Sequence, residues 1–203
     1  MNRTLENKVA IVTGAGGEIG SIIARILAGA GARVIVNDIN PDRAERIAVQ
    51  IREEGYEALA ITADIANRFQ CVNLIESTRE QWGRIDILVN NAQVRPRAPI
   101  LKMDEWAWQR CLDVNLKGAF FMCQLVGRVM ADENQERGGI IINVGAASDD
   151  DAPQTGLAAF AASRAGLLAF TDQCAREFTP LGIHVCAVDP GTADEVLRLC
   201  CDS

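Results

Sequence analysis

The chain has 203 residues, 49% of them hydrophobic, and a formal net charge of −7. This length suits one domain, so we expect residues 1–203 to form a single unit with a substantial core. No apolar run approaches the roughly 18 residues of a membrane-spanning helix, and no basic run marks a nucleic-acid binder. The polar N-terminus lacks a secretory signal. Together these features predict a cytoplasmic protein without membrane or nucleic-acid partners.

Short β-branched runs alternate with longer amphipathic segments, a pattern typical of βαβ units around a parallel sheet. Helical patterns fill the gaps between six predicted strands, which are Val9 to Thr13, Arg33 to Asp38, Ala58 to Thr62, Ile85 to Asn90, Gly139 to Val144 and His184 to Asp189. Near-continuous apolar runs such as Ile140 to Ile142 suit strands that are covered on both faces. The predicted fold class is therefore α/β, a doubly wound, Rossmann-like parallel sheet.

A glycine-rich turn follows the first predicted strand and opens a helix. From Thr13 to Gly20 it reads Thr-Gly-Ala-Gly-Gly-Glu-Ile-Gly, and its glycines allow a pyrophosphate to approach the helix N-terminus. Asp38 ends the second strand, where its carboxylate can accept hydrogen bonds from adenosine ribose hydroxyls and would repel a 2′-phosphate. This favours NAD over NADP. The alternative is that Asp38 only caps the helix that begins near Pro41.

Five motifs, in order along the chain, resemble those of the short-chain dehydrogenase/reductase family. They are Thr13 to Gly20, Asp64-Ile65, Asn90 to Gln93, Asp113 to Asn115 and Asp189 to Gly191. The chain looks most like reductases of the 3-oxoacyl-carrier-protein type and their sugar or alcohol dehydrogenase relatives. The resemblance implies a single dinucleotide-binding domain that holds NAD through Gly14, Gly16, Glu18, Ile19, Asp38, Asp64, Ile65, Asn91, Ala92, Arg164, Pro190 and Gly191.

The resemblance also implies four catalytic positions, of which only Asn115 keeps the family's residue type. Ala146 stands at the family's Ser, while Phe160 and Arg164 stand at the Tyr and Lys of Tyr-x-x-x-Lys. The family's Tyr gives a proton to the substrate carbonyl as hydride arrives, which contributes about 10² to 10⁴ in rate. A phenyl ring has no such proton. Arg164 stays protonated, so it can anchor ribose hydroxyls but not relay protons.

Three further departures surround the predicted site. Glu18 occupies the family's second Gly and would bring a side chain near the pyrophosphate, unless the adjacent glycines turn it to solvent. Gln93 replaces the Gly of Asn-Asn-Ala-Gly and would either crowd the floor beneath the nicotinamide or point to the surface. Ser148 reaches the site only if its loop rearranges, so a turn role is favoured. The next residues, Asp149 to Asp151, read as a solvated acidic loop.

The C-terminus departs from the family as well. Relatives continue after Gly191 through a substrate-covering segment, a helix and a seventh strand, whereas this chain has residues 192–203. We therefore expect a truncated substrate region and a missing seventh strand, with the sixth strand at the sheet edge and a short helix from Ala193 to Cys201 partly covering it. The apolar helical segments Met103 to Met130 and Gln154 to Phe178 predict a homodimer, because the family commonly dimerises through these helices.

The cysteine and histidine patterns do not indicate a metal site. The seven cysteines are scattered without metal-ligand spacing, so most are expected to be core residues of a reduced protein. The adjacent Cys200 and Cys201 are open to modification or oxidation. His184, the only histidine, lies in a predicted strand and is assigned a structural role.

Three functional hypotheses follow. The favoured one is a catalytically impaired family member, a pseudoenzyme that folds, dimerises and binds NAD. The second is an active NAD(H)-dependent carbonyl reductase or alcohol dehydrogenase that uses water, Ser148 or an acidic-loop carboxylate as proton source. The third is a non-catalytic subunit of a mixed oligomer. A small carbonyl or alcohol compound is the substrate that the resemblance implies.

Overall fold

Six parallel strands form one sheet in this protein. A computed structural model describes residues 4–134, 137–145, 155–189 and 193–202. The strands are β1 Val9–Val12, β2 Arg33–Asp38, β3 Ala58–Thr62, β4 Ile87–Asn90, β5 Gly139–Val144 and β6 Ile183–Val188. Their order is β3-β2-β1-β4-β5-β6, and every neighbouring pair is parallel. The doubly wound parallel sheet predicted from the sequence is confirmed.

Helices cover both faces of the sheet. They are α1 Glu18–Gly29, α2 Pro41–Glu53, α3 Arg68–Trp82, α4 Glu105–Leu112, α5 Ala119–Glu133, α6 Ala158–Phe178 and α7 Ala193–Asp202, with a π-helical stretch Asp113–Gly118 joining α4 to α5. Side-chain oxygens of Asn40, Asn67 and Asp104 accept backbone N–H groups at the starts of α2, α3 and α4. Such caps satisfy N–H groups that the first helical turn leaves without partners.

The core has one layer on each face of the sheet because successive strand residues point to opposite sides. One layer contains Ala10, Val12, Val34, Val36 and Val89, together with buried residues of α1, α2 and α7. The other contains Ile11, Ile35, Leu88 and Ile141, together with buried residues of α3 and α5. Burial on both faces accounts for the near-continuous apolar strand sequences.

Three predicted strands differ from the observed ones by one or two residues. The first ends at Val12 because Gly14, at φ +63°, begins the glycine-rich turn. The fourth begins at Ile87, directly after Asp86, whose carboxylate accepts the Val9 N–H at 2.8 Å. The sixth spans Ile183–Val188 instead of His184 to Asp189.

The segments near the C-terminus form the expected short helix. Val196 and Cys200 of α7 are buried in the same core layer as Val188 at the end of β6, which lies at an edge of the sheet. Helix α6 begins at Ala158, later than the predicted Gln154, which lies outside the described residues. No helix within the described ranges is long and apolar enough to cross a membrane.

The cysteines are free thiols, and most lie in the core as expected. Five of them are buried, namely Cys71, Cys111, Cys123, Cys174 and Cys200. Burial raises the pKa of the Cys200 thiol to about 12. Its neighbour Cys201 is exposed, with its Sγ 3.0 Å from Thr4 Oγ1. His184 is exposed on β6.

Candidate functional site

A groove of about 350 Å³ runs across the carboxyl ends of the central strands. It lies where β1 and β4 are neighbours and the chain order reverses, which is the usual ligand position in open α/β sheets. Its walls include Gly14, Glu18, Asp38, Asp64, Asn91 and Arg110. The structure thus brings together residues that the sequence places far apart in the chain.

The glycine-rich turn packs against the ends of two other strands without room for side chains. A Cβ atom on Gly14 would lie 2.7 Å from the Ala92 Cα, and one on Gly16 would lie 2.7 Å from the Asp38 Oδ2. A Cβ on Gly20 would lie 2.5 Å from the Gly14 carbonyl oxygen. These three glycines therefore let the turn fold tightly onto the strands and expose its backbone to the groove.

Asp38 holds the glycine-rich turn in place. Its Oδ2 accepts the Gly16 N–H at 3.1 Å, and its Oδ1 accepts the Asn40 N–H at 2.9 Å. The first turn of α2 is capped by Asn40, which accepts the Arg43 N–H at 3.0 Å. Asp38 is therefore not the cap of α2, and the alternative reading of this residue is wrong. Each carboxylate oxygen keeps a second lone pair that can accept a ribose hydroxyl.

Asp64 lies on the opposite wall of the groove, in contact with an arginine. Its Oδ2 is 3.0 Å from Arg110 Nη1, and its Oδ1 accepts the Ala66 N–H at 2.9 Å. Ile65 fills the space beside Gly118, where a Cβ would lie 2.7 Å from the Ile65 Cδ1. Sequence reasoning missed Arg110, because no local motif links this residue of α4 to Asp64.

The segment after β4 is tied to the glycine-rich turn by side-chain hydrogen bonds. The Thr13 hydroxyl oxygen accepts the Asn91 N–H at 3.0 Å and the Ala92 N–H at 3.1 Å. Asn91 Nδ2 donates to the Thr13 and Gly14 carbonyl oxygens at 3.0 and 3.2 Å. Asn91 is 6% exposed, and its Oδ1 has no hydrogen-bond partner among the described residues.

Asn115 braces the bend between α4 and α5. It lies in the π-helical stretch, and its Oδ1 accepts the Val94 N–H at 2.8 Å. Its Nδ2 donates to the Val94 carbonyl oxygen and to Ser163 Oγ, both at 3.0 Å. The amide of Asn115 thus connects the segment after β4 to α6. Because these hydrogen bonds go to other parts of the protein, Asn115 has a positioning role.

Phe160 is buried between two arginines. It is 6% exposed and packs with Cys111 and Leu157. The guanidinium carbons of Arg95 and Arg164 lie 4.9 and 5.6 Å from the centre of its ring. Arginine is attracted to the face of an aromatic ring at these distances. Sequence reasoning missed Arg95, which follows the Asn-Asn-Ala-Gln motif without any signal of its own.

Arg164 is directed toward the end of β6 as well as toward Phe160. Its Nη2 lies 4.0 Å from Asp189 Oδ1. Asn115, Phe160 and Arg164 line a small pocket next to the groove. Ile65, Ala92 and Gln93 line both this pocket and the large groove, so the two spaces adjoin.

Some of the remaining predicted site residues line the groove, and the others lie outside the residues that the structure describes. Glu18 is the first residue of α1, exposed on the wall of the groove, and Ile19 lies beside it. The positive end of the helix dipole favours a carboxylate there, although that carboxylate would compete with a bound anion. Outside the described residues lie Ala146, Ser148, Asp149 to Asp151, Pro190 and Gly191. The described ranges contain no cluster of acidic, histidine or cysteine side chains that could hold a metal ion.

The chain is similar to proteins of one family over most of its length. A family model described as short chain dehydrogenase matches residues 8–198. A galactitol 2-dehydrogenase of Agrobacterium fabrum is 37% identical over 190 residues, which is 94% of this chain and 72% of that protein. A 3-oxoacyl-[acyl-carrier-protein] reductase of Synechocystis sp. is 35% identical over 188 residues, or 92% of this chain and 74% of that protein.

Solved structures superpose on nearly the whole fold. A metagenomic short-chain oxidoreductase in complex with NADP matches with a TM-score of 0.91 at 28% identity, covering 98% of this chain and 93% of that chain. An NAD⁺-bound xylitol dehydrogenase matches with a TM-score of 0.85 at 31% identity, covering 91% and 70% of the two chains. On the match of the family model and of these relatives, the chain belongs to the short-chain dehydrogenase/reductase family.

Proposed function

We propose that this chain binds a nicotinamide nucleotide in the groove but does not carry out the family's usual hydride transfer. The fit of the nucleotide is supported by the glycine-rich turn, where three glycines have no room for side chains. Backbone N–H groups in the first turn of α1 would hold the pyrophosphate, because Gly17 provides no side-chain cap for them.

The preference of the groove for NAD over NADP rests on Asp38. Its carboxylate lines the groove at the end of β2 and is oriented by two backbone N–H groups. It would accept hydrogen bonds from the adenosine ribose hydroxyls and repel a 2′-phosphate. Asp64 would lie along the adenine, with Arg110 fixing its carboxylate. We therefore propose NAD(H) as the cofactor.

The single observation that carries the loss of activity is the Phe160 ring. A bound nicotinamide supplies or accepts a hydride, and reduction of a carbonyl then requires a proton donor beside the substrate oxygen. Phe160 offers no proton, and the Ser163 hydroxyl beside it donates to the Phe160 carbonyl oxygen at 2.7 Å. Losing this general acid removes about 10² to 10⁴ in rate, or roughly 3 to 5 kcal/mol of barrier stabilisation. Arg164, with its permanent charge, can anchor a ribose but not relay the proton.

Calorimetric titration tests the proposed function directly. NAD, NADH, NADP and NADPH are titrated separately into the purified chain, and the same samples are then assayed with small ketones and secondary alcohols. The proposal expects NAD and NADH to bind at least tenfold more tightly than their phosphorylated forms, with no turnover. Failure of all four nucleotides to bind at millimolar concentration refutes the nucleotide site. Robust turnover refutes the pseudoenzyme assignment.

We also propose a homodimer formed through α5 and α6. An apolar groove of about 280 Å³ lies between these helices and is lined by Phe120, Gly127, Phe170, Phe178 and Leu181, among others. Phe120 and Leu181 are exposed in the single chain. Packing a second copy against this face would remove their apolar surface from water, which is a favourable contribution to association.

A further inference from the structure

We propose that Cys123 and Cys174 form a redox-active thiol pair, which a hydroperoxide oxidises to a disulfide between α5 and α6. Both side chains line the apolar groove of about 280 Å³ between these helices. No described residue lines both this groove and the groove at the glycine-rich turn. The thiol pair is therefore a second reactive site, and its chemistry does not depend on the proposed nucleotide binding.

The packing of α5 on α6 places the two cysteines opposite each other. One turn before them, the centres of the Phe120 and Phe170 rings lie 6.1 Å apart. One turn after them, a Cβ atom on Gly127 would lie 2.7 Å from the Phe178 ring, so the helices approach closely there. Residues three or four apart lie on the same face of a helix. The two cysteines therefore face each other between these two contacts.

Buried amides hold the Cys123 sulfur at this contact. Asn90 Nδ2 donates to Cys123 Sγ at 3.3 Å, and Asn143 Oδ1 lies 3.9 Å from the same sulfur. Asn143 Nδ2 donates to Thr171 Oγ1 at 2.8 Å, one turn before Cys174 on α6. Cys123 is 1% exposed, so its sulfur is held inside the core and is directed at α6.

A hydrogen bond between the thiols gives the two sulfurs different roles. Cys123 donates to Cys174, which lowers the pKa of the Cys174 thiol, while burial and the Glu177 charge act in the opposite direction with smaller effect. The same hydrogen bond, together with burial, raises the pKa of the Cys123 thiol. Cys174 is 7% exposed and lines the groove, so a peroxide reaches this sulfur first. Since the thiolate is the nucleophilic form of cysteine, Cys174 attacks and Cys123 resolves.

The reaction has two balanced steps. The Cys174 thiolate attacks the terminal oxygen of the hydroperoxide, the O–O bond breaks, and the departing alkoxide or hydroxide takes a proton from solvent, which leaves a sulfenic acid on Cys174. The Cys123 sulfur then attacks Cys174 Sγ, the S–O bond breaks, and the departing hydroxide takes the Cys123 proton to become water. Two thiols lose two electrons in total, and the hydroperoxide is reduced to water and an alcohol, or to two waters.

Peptide mapping of the full chain without reduction tests this inference. Trypsin, which cuts after lysine and arginine, places each of the two cysteines alone in its peptide, 118–128 or 165–176. After treatment with hydrogen peroxide or cumene hydroperoxide, we expect the linked pair of these peptides to be the first disulfide to appear. Two thiols should be lost for each peroxide consumed, and dithiothreitol should restore both. The inference is overturned if both cysteines stay reduced, or if other cysteines form disulfides first.

Single variants separate the roles of the two sulfurs. Cys123→Ser should stop the reaction at a sulfenic acid on Cys174, which dimedone traps, and Cys174→Ser should slow peroxide consumption at least tenfold. Cys201→Ser changes the exposed cysteine, which does not line the groove, and should leave the rate of cross-linking unchanged. Equal peroxide consumption by Cys174→Ser and the wild type would contradict the assignment of Cys174 as the attacking thiol.

The proposed dimer face lies over the same groove, so a second copy of the chain would shield the thiols. Cross-linking is therefore measured at submicromolar and at high micromolar protein concentration, with peroxide in excess. We expect a faster rate in the dilute sample, where the groove is open. Absence of the linked peptides at both concentrations overturns the inference, whatever the oligomeric state.

Discussion

The guanidinium carbon of Arg95 lies 4.9 Å from the centre of the Phe160 ring. This contact joins the segment after β4 to the start of α6 and covers a side chain that is almost fully buried. The family resemblance matches this position to a tyrosine whose hydroxyl must reach a substrate. In this chain the position serves packing, and the arginine stabilises the apolar ring from the solvent side.

The Arg95 and Phe160 side chains should be energetically coupled. We expect a double-mutant cycle with Arg95→Ala and Phe160→Leu to give a coupling of about 0.5 to 1 kcal/mol in the free energy of unfolding. Leucine keeps the apolar volume, whereas Phe160→Ala leaves a cavity and should cost about 3 kcal/mol or more. Urea unfolding measures all of these values. Strictly additive effects would show that the contact does not hold the ring.

Charge at the start of α1 should limit nucleotide affinity. Glu18 is exposed on the groove wall, so Glu18→Gln removes a negative charge near the expected pyrophosphate. We expect the dissociation constant for NAD to fall about threefold to tenfold, since a charge pair at 4 Å in water contributes about 1 kcal/mol. The gain should shrink at high salt.

Glu105 provides the matched control for this change. It is also the first residue of its helix and exposed, but it does not line the groove. Glu105→Gln and Glu18→Gln should each lower the free energy of unfolding by about 0.3 to 1 kcal/mol, because each removes a favourable charge at a helix N-terminus. Glu105→Gln should leave the affinity for NAD unchanged. Equal affinities of wild type and Glu18→Gln at low salt would place the Glu18 carboxylate away from the phosphates.

The Asp38 carboxylate should set the preference between the two cofactors. Asp38→Asn removes the charge while keeping an acceptor for one of the two backbone N–H groups. We expect the affinity ratio of NAD to NADP to fall at least tenfold, measured by calorimetry, because the repulsion of a 2′-phosphate is lost. An unaltered ratio would mean that another group selects the cofactor.

The proposed dimer face can be tested by adding a charge. Phe120 is 38% exposed in the groove between α5 and α6, and Phe120→Asp should convert a dimer to a monomer in light-scattering measurements. Phe69 of α3 is 82% exposed outside that groove, so Phe69→Asp should leave the dimer intact. A wild-type chain that is monomeric at micromolar concentration, or dimers that survive Phe120→Asp, would rule out this interface.

The sequence predicted the parts of the molecule that depend on local pattern. The apolar runs of Ile140 to Ile142 and the glycine-rich turn after Val12 identify strands and a turn, because each pattern is contained in a short window. The role of Asp38 was left open, since a carboxylate beside Asn40 can serve either as a cap or as a groove residue. Only the observed capping by Asn40 separates these possibilities.

The sequence did not predict the contacts between distant segments. Arg110 reaches Asp64 across 46 positions, and Arg95 reaches Phe160 from another loop. No spacing rule relates these pairs, since they meet only after α4 and α6 have packed on the sheet. The sequence predicted the loss of a proton donor at Phe160, which stays a prediction, but not the burial of its ring beside Arg95 and Arg164.

Deuterium transfer tests the central claim most directly. The chain is saturated with NADH that carries deuterium at the transferable position, a panel of small ketones is added, and the alcohol products are analysed by mass spectrometry. With Phe160 in place of a proton donor, we expect deuterium incorporation at least about 10²-fold slower than in an intact family member. Deuterium incorporation at a rate comparable with that of an intact family member would contradict the account.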